Sequence, residues 1–199
     1  MSAPVLIGLT GSIGMGKSTT AAMFAAHGLP VWDADAAVHR LYAEGGAAVA
    51  PLAALCPAAL KDGEIDRAAL KQWIRDDPAA FGRIEAVVHP LVAADRAEFI
   101  AAQSARFILL DIPLLFETGA EERFDLVAVV STTPEEQRRR VMARPGMSEQ
   151  MFQSILAKQL PDAQKRERAD VVIDTTTMES ARHDVDMLVA RLRKEYGDA

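Results

Sequence analysis

Between Gly8 and Thr20 the chain reads GLTGSIGMGKSTT, with glycines at 8, 11, 14 and 16 ahead of a lysine and three hydroxyl residues, Ser18, Thr19 and Thr20. The apolar run Val5–Leu9 before it suits a short buried strand, and Ser18–Ala26 after it has the composition of a helix. Gly11 to Ser18 fit G-x-x-x-x-G-K-[ST], a strand-to-helix loop that cradles phosphate. Glycine opens backbone turns closed to other residues, so that successive N–H groups converge on phosphate oxygens beside the positive end of the helix dipole. Gly14, Met15, Gly16, Lys17, Ser18 and Thr19 are therefore the expected nucleotide contacts. Lys17 would reach the β- and γ-phosphates, and the Ser18 hydroxyl would ligate Mg²⁺. Gly8 and Ser12 look replaceable.

Further strand-like runs occur at Pro30–Trp32, Phe107–Ile112, Leu126–Val130 and Val171–Ile173, separated by stretches rich in Ala, Leu, Arg and Glu. Strands buried on both faces and joined by helices predict a parallel sheet in an α/β fold. About 75 residues separate the second run from the third, far more than one crossover helix needs. A helical subdomain is expected there, in which Asp66 caps a helix carrying Leu70, Trp73 and Ile74 on one face, while Pro78 and Pro90 mark breaks or turns. A second excursion runs from Pro134 to Arg168.

The formal charge of −6 argues against general affinity for nucleic acid or acidic membranes, and no uncharged apolar run approaches the ~20 residues of a bilayer span. One cysteine, Cys56, cannot form an intrachain disulfide, and the N-terminus lacks a secretory pattern; a cytoplasmic location is expected, as a monomer or weak oligomer.

The loop alone does not separate a kinase from a switch GTPase or a motor. The chain contains no asparagine, so the Asn-Lys-x-Asp motif by which GTPases read guanine is missing. A kinase needs a carboxylate near the acceptor hydroxyl and cations over the transferring phosphoryl group. Asp33 and Asp35 in VWDADA, if extended, would face the same way into the crevice at a strand's carboxyl end; the alternative is that one of them caps the following helix. Residues 134–168 hold eight basic against five acidic residues. Within them Gln137, Arg140 and Arg144 recur at helical spacing and share a face, on which Arg140 and Arg144 would close over ATP as a lid or lie on a solvated, ion-paired surface. Asp111 ends the strand in FILLDIPLLFE, where a carboxylate would hold Mg²⁺ through water, and Phe116 and Glu117 follow as acceptor contacts or as ordinary core packing.

In order along nearly the whole chain, GLTGSIGMGKST, GLPVWDADAAVHRL, VVHPLV, DIPLLFE, EEQRRRVMAR and AKQLPDAQKRERADVVID resemble the dephospho-coenzyme A kinase family. The resemblance implies transfer of the γ-phosphoryl of ATP to the ribose 3′-hydroxyl of dephospho-coenzyme A with Mg²⁺. It implies an α/β, P-loop NTPase-type three-layer sandwich with a parallel sheet, a helical acceptor-binding insertion and a helical lid. The corresponding boundaries are 1–35 with 106–133 and 169–199 for the core, 36–105 for the insertion and 134–168 for the lid. Asp35 becomes the general base, supported by Asp33, Lys17 and Arg140. Thr10, His89, Leu115, Phe116 and Glu117 would meet the acceptor, Ser18 and Asp111 the metal, and Arg144 the nucleotide. Where the family commonly reads Ile-Asp-Asn, this chain has Ile173-Asp174-Thr175, so Thr175 would offer a hydroxyl to adenine instead.

Overall fold

The computed structural model describes residues 3–197. The chain divides into two compact units, one made of the residues up to Trp32 and from Gln103 onward, the other of Asp33–Ala102.

The first unit is built on a five-stranded sheet. Its strands are β1 (Val5–Thr10), β2 (Val31–Asp33, which the unit boundary cuts after Trp32), β5 (Phe107–Asp111), β6 (Leu126–Ser131) and β7 (Val171–Asp174). The order is β2-β5-β1-β6-β7, and β1 pairs in parallel with both β5 and β6. The chain thus moves to one side of β1 and later to the other. That reversal places a ligand crevice at the carboxyl end of β1, the end from which the glycine-rich loop leaves.

Alternation along β1 feeds two cores. Ile7 and Leu9 pack with Phe24 of α1 (Lys17–Ala26) and with Val185, Leu188 and Val189 of α9 (Met178–Tyr196). On the opposite face Leu115, Phe116, Val127 and Val129 form a second cluster, against which Phe124, Leu160 and Ala169 pack. Gly8 lies on this face, and a Cβ there would stand 2.7 Å from Leu115 Cδ1, so it is not freely replaceable. Residues 134–168 belong to the same unit and form α6 (Pro134–Met142), α7 (Glu149–Leu156) and α8 (Asp162–Arg168).

The second unit contains α2 (Ala34–Tyr42), α3 (Val49–Leu55), α4 (Arg67–Asp76) and α5 (Ala80–Ala101) around Leu41, Leu52, Ile65, Leu70, Ile84 and Val88. Asp66 caps α4 by accepting from the Ala68 amide, and Trp73 and Ile74 pack beside the buried Leu70. Two features depart from the expectation. A hairpin, β3 (Leu60–Lys61) and β4 (Glu64–Ile65), turns at Asp62-Gly63, both of which have positive φ. Pro90 does not break the chain but sits inside the 22-residue α5. It forfeits one hydrogen bond there, and burial of Ile84 and Val88 with the packing of Val87, Leu91 and Val92 holds the helix through it.

Candidate active site

The loop from Gly11 to Lys17 joins β1 to α1. Gly14 (φ 79°) and Gly16 (φ 91°) occupy the left-handed region. At Gly14 a Cβ would also meet Val141 Cγ2 at 2.5 Å. Gly16 is the N-cap of α1, which has neither a side-chain cap nor an acidic residue in its first turn. Among the described residues, the backbone N–H groups of Gly14, Gly16, Lys17, Ser18 and Thr19 find no acceptor. Five unsatisfied donors and the positive end of a helix dipole, at the mouth of a parallel sheet, make an anion site.

Lys17 Nζ forms an ion pair with the carboxylate of Asp111, which ends β5 and is 1% exposed. The Ser18 hydroxyl is exposed at the start of α1. Among the described residues no three His, Cys, Asp or Glu side chains group to hold a metal by themselves. An all-oxygen pair such as Ser18 and Asp111 suits Mg²⁺, which takes one or two protein ligands and draws the rest from phosphate and water.

The residues after Asp111 are more structural than expected. Thr10 is fully buried and donates to the Pro113 carbonyl (3.2 Å). Leu115 and Phe116 are buried in the second core, with the Arg168 guanidinium 4.7 Å over the Phe116 ring; it is Leu114 that is exposed. The apolar character of PLLF is therefore spent on packing, which leaves Leu115 and Phe116 no open face for an acceptor. Glu117 Oε1 accepts from the Leu160 amide (2.8 Å) and pairs with the fully buried Lys165 (2.8 Å). Burial pushes its carboxyl up, but the hydrogen bonds from Lys165 and Leu160 and the charge of Lys165 outweigh that and hold it below its ordinary value.

Arg140 does not project freely. Its Nε donates to Glu136 (2.7 Å) and its Nη2 to the Thr175 carbonyl (2.5 Å), which docks α6 on the turn between β7 and α9. Arg144 lies beyond the end of α6 and is exposed, so it does not continue the helical face of Gln137 and Arg140. Pro145 disfavours helix at the residue before it, and Gly146 turns the chain at φ 74°. Thr175 is buried, and its hydroxyl is engaged with the carbonyls of Met15 (2.6 Å) and Ser131 (3.0 Å). In this arrangement it braces the loop rather than offering itself to a base. Thr175 itself, with Thr19, Arg139, Arg140, Thr176 and Met178, lines a cavity of about 360 Å³ beside Gly16.

Glu136 receives hydrogen bonds from Arg139 and, after a partial desolvation that opposes them, from Arg140; together these pull its carboxyl down to about 2. Its contribution is complete above the ordinary value of 4.5 and is lost as pH falls through about 2. A carboxyl-carbon NMR titration should find its midpoint near 2, and Arg139→Gln should move that midpoint toward 4.5.

In the second unit the two aspartates of VWDADA have separated. The extended segment ends at Asp33, whose side chain accepts from the Ala36 amide and caps α2. Asp35 already lies in the first helical turn, exposed, and makes no hydrogen bond or ion pair among the described residues. The extended pair was thus overridden by the capping tendency of aspartate. His89 stands mid-way along α5, exposed, with its Nε2 3.6 Å from Glu85, so it is neither a helix-end nor a core histidine.

Two side chains at the loop had no assigned role in the sequence. Gln137 Nε2 donates to the Ile13 carbonyl (2.7 Å), and Gln159 Oε1 accepts from the Ile13 amide (3.1 Å).

The profile of the dephospho-CoA kinase family matches residues 5–180. A dephospho-CoA kinase of Cereibacter sphaeroides is 58% identical over 98% of this chain and 99% of its own. A solved structure from Thermus thermophilus is 37% identical, with a TM-score of 0.85 over 96% of this chain and 99% of that one. The dephospho-CoA kinase of Campylobacter jejuni, at 22% identity, covers 96% of this chain and 98% of its own with a TM-score of 0.67 and shares the fold, a P-loop NTPase-type sandwich.

Proposed function

The chain belongs to the dephospho-CoA kinase family, and from that premise we propose that it transfers the γ-phosphoryl of ATP to the ribose 3′-hydroxyl of dephospho-coenzyme A, the last step of coenzyme A synthesis, in the cytoplasm. The observation that carries the first half of the reading is the row of unsatisfied amides from Gly14 to Thr19 beside Lys17. Such a row, converging at a helix N-terminus beside a lysine, is the arrangement that an anion fills. Family membership supplies the acceptor.

Each side chain then has a distinct task. The loop amides bind the phosphates, and Lys17 neutralises their charge as it grows toward the leaving group. Ser18 and Asp111 would hold Mg²⁺, which when bound shields the β- and γ-phosphate oxygens. The cavity edged by Thr19, Arg140 and Thr176 takes the adenine base. Arg140 and the exposed Arg144 supply cations to the phosphoryl group, and residues 134–168 act as the lid. Asp35 is the general base for the acceptor hydroxyl, in preference to Asp33, because its carboxylate is not consumed by a cap. His89 and Glu117 serve the acceptor side, and residues 36–105 bind the coenzyme A portion.

Purified protein with ATP and Mg²⁺ should form ADP and coenzyme A stoichiometrically from dephospho-coenzyme A, read by mass spectrometry. Shikimate and nucleoside monophosphates should give no transfer. Turnover of either, with none of dephospho-coenzyme A, would overturn the reading.

A further inference from the structure

In the phosphate loop, the amides that must meet an anion and the carbonyls that must not are halves of the same rigid units. A trans peptide is planar, with its C=O and N–H pointing in opposite directions, so fixing one fixes the other. The Ile13 carbonyl and the Gly14 N–H share one such plane. The Met15 carbonyl and the Gly16 N–H share another.

Both carbonyls are anchored by side chains from distant parts of the chain. Gln137 of α6, 7% exposed, donates to the Ile13 carbonyl at 2.7 Å. Thr175, after β7 and 5% exposed, donates its hydroxyl to the Met15 carbonyl at 2.6 Å. Gln159 accepts from the Ile13 amide at 3.1 Å and so fixes the plane before the first. The amides of Gly14 and Gly16, on the far ends of the two anchored planes, are among those with no acceptor among the described residues. Both glycines have positive φ, a region from which a glycine escapes easily unless its neighbours are held. A flipped peptide here would present a carbonyl oxygen to a phosphate and turn attraction into repulsion.

We infer that Gln137, Gln159 and Thr175 are positioning residues for phosphoryl transfer, which aim the Gly14 and Gly16 amides at the phosphates by holding the carbonyl halves of those peptides and the plane that precedes them. This rests on the proposed reading that the loop binds ATP, and it deepens that reading. Three segments scattered over the first unit, α6, the turn between α7 and α8, and the turn after β7, thereby meet at one loop. Gln137 and Gln159 both lie within residues 134–168, so part of that segment is fixed to the loop it was expected to cover.

The test uses ADP and adenosine as probes, by calorimetry for the first and NMR titration for the second. Gln137→Met and Thr175→Val keep volume and lose the donor, and each should weaken ADP by about five- to tenfold, the loss of one well-placed hydrogen bond. Adenosine, which has no phosphate, should bind Gln137→Met as it binds the wild type; Thr175 lines the cavity assigned to adenine, so its variants are read on ADP alone. Thr175→Ser, which keeps the hydroxyl, should restore ADP affinity to within twofold. The KM for dephospho-coenzyme A should not move. ADP affinity within twofold of wild type in folded Gln137→Met and Thr175→Val overturns the inference, as does adenosine weakened as much as ADP in Gln137→Met. Should the buried Gln137→Met not fold, the Thr175→Val and Thr175→Ser pair decides alone. A wild-type protein that binds ADP but does not phosphorylate dephospho-coenzyme A would sink the proposed function and leave this inference standing.

Discussion

Lys17→Met should lower kcat/KM for phosphoryl transfer by about a thousandfold, measured by coupled ADP release. Losses of this order follow removal of one preorganised charge from a transition state whose charge it neutralises in a water-poor site. The structure adds a complication, since Lys17 is also the ion-pair partner of Asp111. The variant therefore removes an ammonium from beside a carboxylate that is 1% exposed, and breaking a buried pair from one side costs up to about 3 kcal/mol of stability. A fall in activity could then reflect unfolding alone.

The double variant Lys17→Met with Asp111→Asn separates the two effects. It removes both charges, so the thermal midpoint should recover most of what the single variant loses, while transfer stays at the depressed level or below. Recovery of activity along with stability would mean that Lys17 serves only the fold. In the resting protein the Lys17–Asp111 pair stores the ammonium at the carboxyl end of β5, next to the loop whose phosphates it would meet. On the proposed reading, phosphate binding would redistribute an existing charge pair.

What was legible in the sequence was what local pattern decides. The five core strands lie within a residue or two of the apolar runs that predicted them; for the central β1, β5 and β6, burial on both faces leaves little choice of composition. The loop was legible because glycine takes up the positive φ found at 14 and 16 at far less cost than other residues. Asp66 caps its helix as read, since the cap and the first turn are neighbours in sequence. The hairpin at Asp62-Gly63 has a local signal of its own, an Asp-Gly pair between short strands. Other features had no local signal at all. Gln159 meets Ile13 across 146 residues and Thr175 meets Met15 across 160, and no periodicity encodes such contacts. Pro90 misled for the same reason in reverse, because a rule about one residue was overruled by the packing of a 22-residue helix. Arg140 and Arg144 looked like one face until Pro145 ended the helix between them.

Asp35→Asn should lower kcat by 10²- to 10⁴-fold, the usual range for loss of a general base, with ADP affinity within twofold of wild type. The expectation turns on the two aspartates having different fates. Asp33 is committed to the Ala36 amide as the cap of α2, whereas Asp35 sits in the first turn, exposed and without a hydrogen bond or ion pair among the described residues. Asparagine keeps the shape of Asp35 in the first turn of α2, so the fold should tolerate the change at a cost of about 0.5 kcal/mol. The companion variants make the assignment sharp. Asp33→Asn preserves capping and should leave kcat within about tenfold, while Asp33→Ala loses the cap and should cost about 1 kcal/mol in α2. If Asp33→Asn abolishes transfer and Asp35→Asn does not, the base is Asp33, and it must leave the Ala36 amide before it can take a proton. If neither matters, positioning and charge at the loop carry the reaction without a protein base, and the burden of the rate falls on Lys17, the loop amides and the metal.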